Sequence, residues 1–291
     1  MRLIESGRFV FPADAHVARR FSEENLLSIH SRAARLRAIA FGARVRGIER
    51  EAEPDEVVRR VTSSREWLLF RGAGTIVFVF DRELRSVVKV GAMECGSAQL
   101  PLSTATESPL RGDWKAVAGR YRTPNQREAE MLGALDMAEA PRVVEYRGGM
   151  LTLSPVKGQP LWISMQRSLR PSLAHAAHLA NAGRWLGRFH AATRDGDAVA
   201  VHGDFWARNL LFTATRVSGV VDWEHGALRG EPWKDLFTLP LHAPSWSRPE
   251  REVDSDVVDE YFRAYIAEAG GTLRAVRERF DEWRKTSVSS G

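Results

Sequence analysis

The sequence predicts an α+β protein in which a smaller, antiparallel β-rich part precedes a larger, mostly helical one. Three observations carry that expectation. Apolar and β-branched runs bounded by turn residues cluster before residue 156, in "WLLFRGAGTIVFVFDRELRSVVKV" and "RVVEYRGGMLTLSP". The order up to that point is strand, strand, helix, strand, strand. Beyond Gly158 the texture turns helical, as in the Ala-rich "SLAHAAHLANAGRWLGRFHAAT", whose apolar residues are spaced for one buried face.

In chain order, residues 1–62 read as an N-terminal helical extension. Within it "SEENLLSIHSRAARLRAIAFGARV" repeats apolar residues every three or four positions, with Ser22 placed to cap it, and Pro54–Asp55 open a second helix, "DEVVRRVTSS". Trp67 to Val90 gives two β-rich runs around polar turns that contain Gly72 and Gly74. The stretch 91–126, rich in Ser, Thr, Gly and Pro, reads as a loop or insertion. A helix beginning near Glu128, "REAEMLGALDM", and two strands around Gly148 and Gly149 complete the β-rich part. In the helical part, "VSGVVDWEHG" is a short apolar strand ending in an acid. From Trp233 onward "DVVDEYFRAYIAEAG" and "TLRAVRERFDEWRKT" are the clearest helices. The expected division is 1–62, 63–156 and 157–291.

Composition narrows the function. At 291 residues, 44% hydrophobic and 27% charged, the chain is long enough to bury a substantial core. No apolar stretch approaches the ~18 residues that cross a bilayer, and the N-terminus has no uninterrupted apolar region of the secretory kind, so no membrane partner and a cytoplasmic location are expected. Cys95 is the only cysteine, which excludes an intramolecular disulfide framework and a Cys-rich zinc site and leaves oxygen as the ligand for any metal. The net charge of +5 is spread along the chain with no nucleic-acid-binding motif beside it, so no nucleic acid partner is expected. The oligomeric state does not follow from the sequence.

The segment that carries chemistry is "VHGDFWARNLLF", residues 201–212. Asp204 and Asn209 are close enough for one loop to aim both side chains into the same cavity, and thirteen residues beyond Asn209 a second acid, Asp222, ends an apolar strand. Asp, Asn and Asp on two strand-flanked loops form an oxygen set suited to Mg²⁺, which takes one or two protein ligands together with substrate phosphates. Asp204 would then be free to orient a hydroxyl. The plainer alternative is that Asp204 and Asn209 make Asx turns.

Upstream features fall in a matching order. Gly72 and Gly74 would let backbone N–H groups approach a polyphosphate, or simply form a hairpin turn. Lys89 in "SVVKV" is a phosphate-binding candidate or the solvent face of an edge strand. Glu128 would reach a lysine or face water.

"VHGDFWARNLLF" with "GVVDWEHG" resembles the catalytic core of the aminoglycoside phosphotransferase and choline kinase group, small-molecule kinases with a two-lobed protein-kinase-like fold. "LGRFHAAT" ahead of it and "GEPWKDLFTL" behind it also fit, and the similarity spans roughly residues 63–270. The resemblance implies an antiparallel-sheet N-lobe, a mostly helical C-lobe, and ATP as phosphate donor, with GTP as the alternative. It implies that Lys89 binds the α- and β-phosphates and pairs with Glu128, or with Glu130 if the helix is rotated. Asp204 would orient the substrate hydroxyl or accept its proton, and Asn209 and Asp222 would hold Mg²⁺. Further implied roles are loop support for His202, a hydrogen bond to the catalytic loop from Asp235, and adenine contacts from the Ser154 carbonyl and the Val156 N–H. So few residues separate Asp222 from "EPWKDL" that a peptide-docking segment has no room, which favours a small hydroxyl-bearing acceptor. An aminoglycoside or related amino-sugar metabolite is the first choice, with choline or a sugar as alternatives. Glu224, Glu231 and the acids of "REVDSDVVDE" would suit a polycation, and Trp206, Trp223 and Trp233 would suit a sugar or quaternary amine. The competing class is a nucleotide-binding regulator without turnover.

Overall fold

The computed structural model describes residues 2–6, 9–12, 48–51, 67–71, 76–81, 87–91, 114–147, 150–161, 171–242 and 255–288. The chain divides into two compact units, one of residues 1–133 and 142–155, the other of residues 134–141 and 156–291.

The first unit is built on one antiparallel sheet of eight strands. These are β1 (Arg2–Ser6), β2 (Phe9–Pro12), β3 (Ile48–Glu51), β4 (Trp67–Arg71), β5 (Ile76–Asp81), β6 (Val87–Gly91), β7 (Val143–Arg147) and β8 (Met150–Leu153). Their spatial order is β3-β1-β2-β4-β5-β6-β8-β7. β4 to β6 are almost wholly β-branched, aromatic or leucine, the residue types that favour a pleated strand. The expectation of a helical N-terminal extension is corrected here, because β1, β2 and β3 lie inside this sheet. β1 and β2 are neighbours in sequence and pair with each other, but the strands that flank them, β3 and β4, lie much further along the chain, a non-local pairing that helical periodicity cannot register. The stretch read as helical around residues 22–45 lies outside the described residues, as do Gly72 and Gly74.

Helix α1 (Trp114–Ala134) starts well before Glu128. The reading of 91–126 as a loop is therefore corrected for its last part, and Glu128 sits inside a helix that does not begin there. Pro124 and the polar "RYRTPNQ" masked the pattern, since an internal proline removes a helical hydrogen bond and normally signals an end.

The second unit has four helices among the described residues: α2 (Pro171–Ala192), α3 (Trp233–His242), α4 (Ser255–Ala269) and α5 (Leu273–Val288). Five short strands complete it. The hairpin β11 (Leu210–Thr213) and β12 (Arg216–Val220) is extended by β9 (Gln159–Pro160), and β10 (Val199–Val201) pairs with β13 (Ala227–Gly230). Leu179, Ala182, Leu186 and Phe189 of α2 are buried, as are Tyr261, Phe262 and Tyr265 of α4. Phe237 of α3, Phe262 of α4 and Phe280 of α5 join them in an aromatic cluster with centroids 5.2–6.0 Å apart. No helix among the described residues is long and apolar enough to cross a membrane.

α2 and α4 touch backbone to backbone. Gly183 and Gly187, one turn apart on α2, face the carbonyls of Tyr261 and Tyr265, where a Cβ would collide with main chain that cannot swing aside. Gly183→Ala is therefore expected to destabilise the fold by about 1–2 kcal/mol, as overpacking outweighs the gain in helix propensity. A lowered urea midpoint at unchanged m-value checks this.

Candidate active site

The loop between β10 and β11 starts from two buried backbone donors. Asp235, in the first turn of α3, is fully buried, and its carboxylate accepts from the N–H of His202 (2.5 Å) and of Gly203 (2.7 Å). A carboxylate is the acceptor that can take two converging N–H bonds at once, and it makes them stronger than a neutral oxygen would. Gly203 turns the chain with φ 80° while lying against the His225 carbonyl, a place open only to a residue without Cβ. On the far side of Asp235, His190 Nε2 lies 3.7 Å from Oδ2 and His190 Nδ1 lies 3.1 Å from the Tyr265 hydroxyl. Burial pushes the Tyr265 hydroxyl up to about 12, so it keeps its proton and can donate to Nδ1. His190 Nε2 faces the carboxylate from just beyond hydrogen-bond distance. Sequence reasoning missed His190 and Tyr265, which look like ordinary positions on helix faces.

His202 is itself fully buried and links two loops. Its Nε2 lies 3.0 Å from the Val221 carbonyl, which only accepts, so Nε2 carries the proton. Nδ1 is left to accept from the Asp204 N–H at 3.2 Å. Burial pushes the pKa of His202 down, against the opposing pull of Asp235 and the Val221 carbonyl. The neutral ring is the form this geometry requires, because a second ring N–H would point at the Asp204 N–H.

Asn209 closes the loop. Its Nδ2 donates to the Asp204 carbonyl and to Asp204 Oδ2, each at 3.0 Å, and its own carbonyl accepts from the Val221 N–H at 2.9 Å. Its Oδ1 has no partner among the described residues. Asp222, one residue beyond Val221, has φ 71° and ψ 60°, a left-handed conformation that aspartate tolerates better than most residues. Its side chain makes no capping bond to the adjoining 3-10 turn, Trp223–His225. Asp204, Asn209 and Asp222 are thus drawn together by hydrogen bonds through His202 and Val221. Trp223 is fully buried, donates from Nε1 to the Val220 carbonyl and packs 4.5 Å from His202. The idea that it stacks on a ligand is corrected: it supports the loop. Trp233 stacks on Phe237 beneath Arg279, and Trp206 lies under Arg208.

In the first unit, β6 runs between β5 and β8, so Lys89 is not on an edge strand. It is 2% exposed and ion-paired to Glu128, which is fully buried on α1. Two charges so deep in a fold persist because each compensates the other, and removing either would strand its partner. Asn125, also on α1, donates to the Lys89 carbonyl at 3.3 Å. Glu130 is exposed and accepts from Gln126 at 2.8 Å, so the alternative pairing with Lys89 is not used. Ser154 exchanges two hydrogen bonds with the Arg142 backbone, at 2.8 Å and 2.9 Å. No hydrogen bond among the described residues engages its carbonyl, and none there engages the Val156 N–H.

An antiparallel sheet holding a buried Lys–Glu pair in one unit, with an Asp–Asn loop and an Asp-bearing turn in the other, defines the protein-kinase-like class of phosphotransferases. Residues 44–283 match the family APH, "Phosphotransferase enzyme family", and the chain belongs to that family. Solved structures similar to it include the ADP-bound aminoglycoside phosphotransferase APH(2'')-Ib, at TM-score 0.50 and 13% identity over 77% of this chain and 83% of that one. The macrolide 2'-phosphotransferase MphH from Brachybacterium faecium is similar at TM-score 0.44 and 16% identity, over 76% of this chain and 85% of that one. The streptomycin–ATP complex of APH(2'')-IIa is similar at TM-score 0.48 and 14% identity, over 77% and 85%. No curated protein matches the sequence.

Asp235→Ala leaves the His202 and Gly203 N–H groups buried without an acceptor and should cost about 2–5 kcal/mol, read as a lower urea midpoint. The pH dependence arises from His202. Its folded pKa lies below the ordinary 6.5, so the unfolded chain takes up a proton that the folded chain refuses. The stability contribution of His202 should be intact above pH 6.5 and decline as pH falls below it. Urea midpoints between pH 5 and 8 should show that decline in the parent chain and less of it in His202→Gln.

Proposed function

We propose that this protein is an ATP- and Mg²⁺-dependent phosphotransferase that moves the γ-phosphate onto a hydroxyl of a small molecule. An aminoglycoside or related amino-sugar metabolite is the first acceptor class to test. The observation that carries the reading is the double hold of Asn209 on Asp204, from one amide nitrogen to the backbone carbonyl and to Oδ2. With Oδ2 engaged, Asp204 Oδ1, which has no partner among the described residues, is the atom that would orient the acceptor hydroxyl.

In the proposed reaction the hydroxyl oxygen bonds to the γ-phosphorus, the bond from that phosphorus to the bridging oxygen breaks, and ADP leaves. The hydroxyl proton passes to Asp204. Such a transfer needs alignment and charge neutralisation more than covalent help. Lys89, held by Glu128, is assigned to the α- and β-phosphates, Gly72 and Gly74 to the phosphate-binding turn, and the Ser154 carbonyl and Val156 N–H to the adenine.

The residues fit a magnesium ion. Asn209 has committed its nitrogen to Asp204 and keeps Oδ1 as its one remaining donor atom, and Asp222 adds a carboxylate in a constrained backbone conformation. Both offer oxygen, the ligand type Mg²⁺ prefers. The ion, held by Asn209 and Asp222, would neutralise charge on the phosphate oxygens.

The chain just beyond Asp222 supports a small acceptor. Residues 223–230 are taken up by the 3-10 turn and by β13, which pairs with β10, and α3 begins at Trp233. No length of chain there is left to dock a peptide. Half-buried Glu224 and exposed Glu231 offer carboxylates to a polycation.

The test is ADP release from Mg·ATP across a panel of aminoglycosides, other sugar-containing antibiotics, choline and simple sugars. Asp204→Asn should lower acceptor-dependent release by roughly 10²–10⁴-fold while Mg·ATP binding changes little. Release that no acceptor stimulates, with Mg·ATP still bound, would favour the regulator without turnover.

A further inference from the structure

α2 presents a polar stripe that the phosphotransfer chemistry does not use. Asn181, Arg184, Trp185 and Arg188 have the i, i+3, i+4, i+7 spacing that places residues on one helix face. This face lines an open cavity of about 390 Å³ within the second unit, together with Glu139 and with Arg216 on β12. That volume falls in the range of small-molecule sites.

The charges do not cancel. Among the described residues Arg184 and Arg188 share one acid outside the cavity lining, Glu268 on α4, with each guanidinium only at the 4.0 Å limit of an ion pair. Arg184 also donates to Asn181 Oδ1 at 2.6 Å, and Asn181 Nδ2 to the Thr215 carbonyl at 2.9 Å. These bonds hold the helix stripe to the β11–β12 turn. Arg216 is exposed and has no acidic partner among the described residues. Three arginines thus line the cavity beside one acid, Glu139.

The floor is rigid. Trp185 is 3% exposed and stacks at 5.7 Å and 8° on Phe205, the residue after Asp204. Arginine matches the paired oxygens of phosphate and carboxylate groups, and three arginines from two elements can surround such a group.

We propose that this cavity is a second ligand site, separate from the phosphotransfer loop, for a small multiply charged anion bearing a phosphate or carboxylate group. Arg184, Arg188 and Arg216 hold the anionic group, and Glu139 accepts from a hydroxyl or ammonium on the same molecule. Neither ATP nor the acceptor is needed for this binding, so the inference stands apart from the reaction proposed above.

Inorganic phosphate is the probe, titrated against the full chain without nucleotide or magnesium, with sodium chloride at matched ionic strength as the reference. Calorimetric affinity and the rise in melting temperature are read together. Phosphate should raise Tm above the chloride reference. Arg216→Gln, an exposed change, should weaken binding about tenfold, and Arg184→Gln/Arg216→Gln should remove the shift. Lys89→Met should leave the shift in place, which separates this cavity from the nucleotide-binding residues. The proposal is overturned if phosphate does no more than chloride, or if its effect survives in the double variant but disappears in Lys89→Met. Circular dichroism of each variant at 20 °C, scored against the parent spectrum, restricts the comparison to folded protein.

Discussion

The site depends on a buried carboxylate receiving two backbone N–H groups. Gly203 must adopt φ 80° to bring the chain past the His225 carbonyl, and that turn leaves its own N–H and that of His202 pointing into the interior. Two buried donors without acceptors would cost more than most single contacts return. Asp235 resolves this by accepting both N–H bonds, with the His190 ring on its other side. The start of the loop backbone is therefore held from outside it, by Asp235 on α3. Within the loop Phe205 packs against Trp185, and Arg208 lies over the Trp206 ring.

His202 carries this constraint to the second acid. A neutral ring with its proton on Nε2 joins the Asp204 N–H to the Val221 carbonyl, while the Val221 N–H returns to the Asn209 carbonyl. The two loops are cross-linked in both directions within a few residues, and each bond orients the donor or acceptor of the next. Such networks act as units, so the left-handed backbone at Asp222 is sustained by neighbours that leave it little alternative. An arginine or lysine in place of His202 could donate to Val221 but could not accept from Asp204.

The parts of this arrangement differ in how visible they are in sequence, for physical reasons. Asp204 and Asn209 are five residues apart, so the spacing shows that one loop could carry both, but an Asx turn fits it equally, and the surrounding segments have to favour the functional reading. Asp235 and His202 could be assigned supporting roles because the surrounding segments resemble a known family. His190 and Tyr265 could not be found that way, since their roles depend on α2 and α4 meeting at one buried carboxylate. Local periodicity also failed for β1, β2 and β3: β1 and β2 pair nearby, but their other partners, β3 and β4, come from much further along the chain. In α1 the failure had the opposite cause: a single proline carried a strong local signal that the helix overrode. Lys89 is the intermediate case. Its strand was legible, but its burial depends on β8 and on Glu128, both distant in sequence.

α2 shows how one helix can serve several partners without compromise. Gly183 and Gly187 admit the backbone of α4, Leu186 and Phe189 fill the core, and Asn181, Arg184 and Arg188 stand over a polar cavity. Trp185 lies at the border between the last two faces, one side lining the cavity and the other against Phe205. Phe205 is fully buried, with Trp185 stacked on it and His202 against it edge-on at 6.2 Å. Close-packed rings of this kind do not deform by degrees. An anion that meets only the arginines therefore has equal affinity for every state of the loop and cannot change its chemistry, however tightly it binds. One that displaces the Trp185 ring must also displace Phe205, beside Asp204. Contact with Trp185, more than total charge, is thus what separates a ligand that merely stabilises this unit from one that alters turnover.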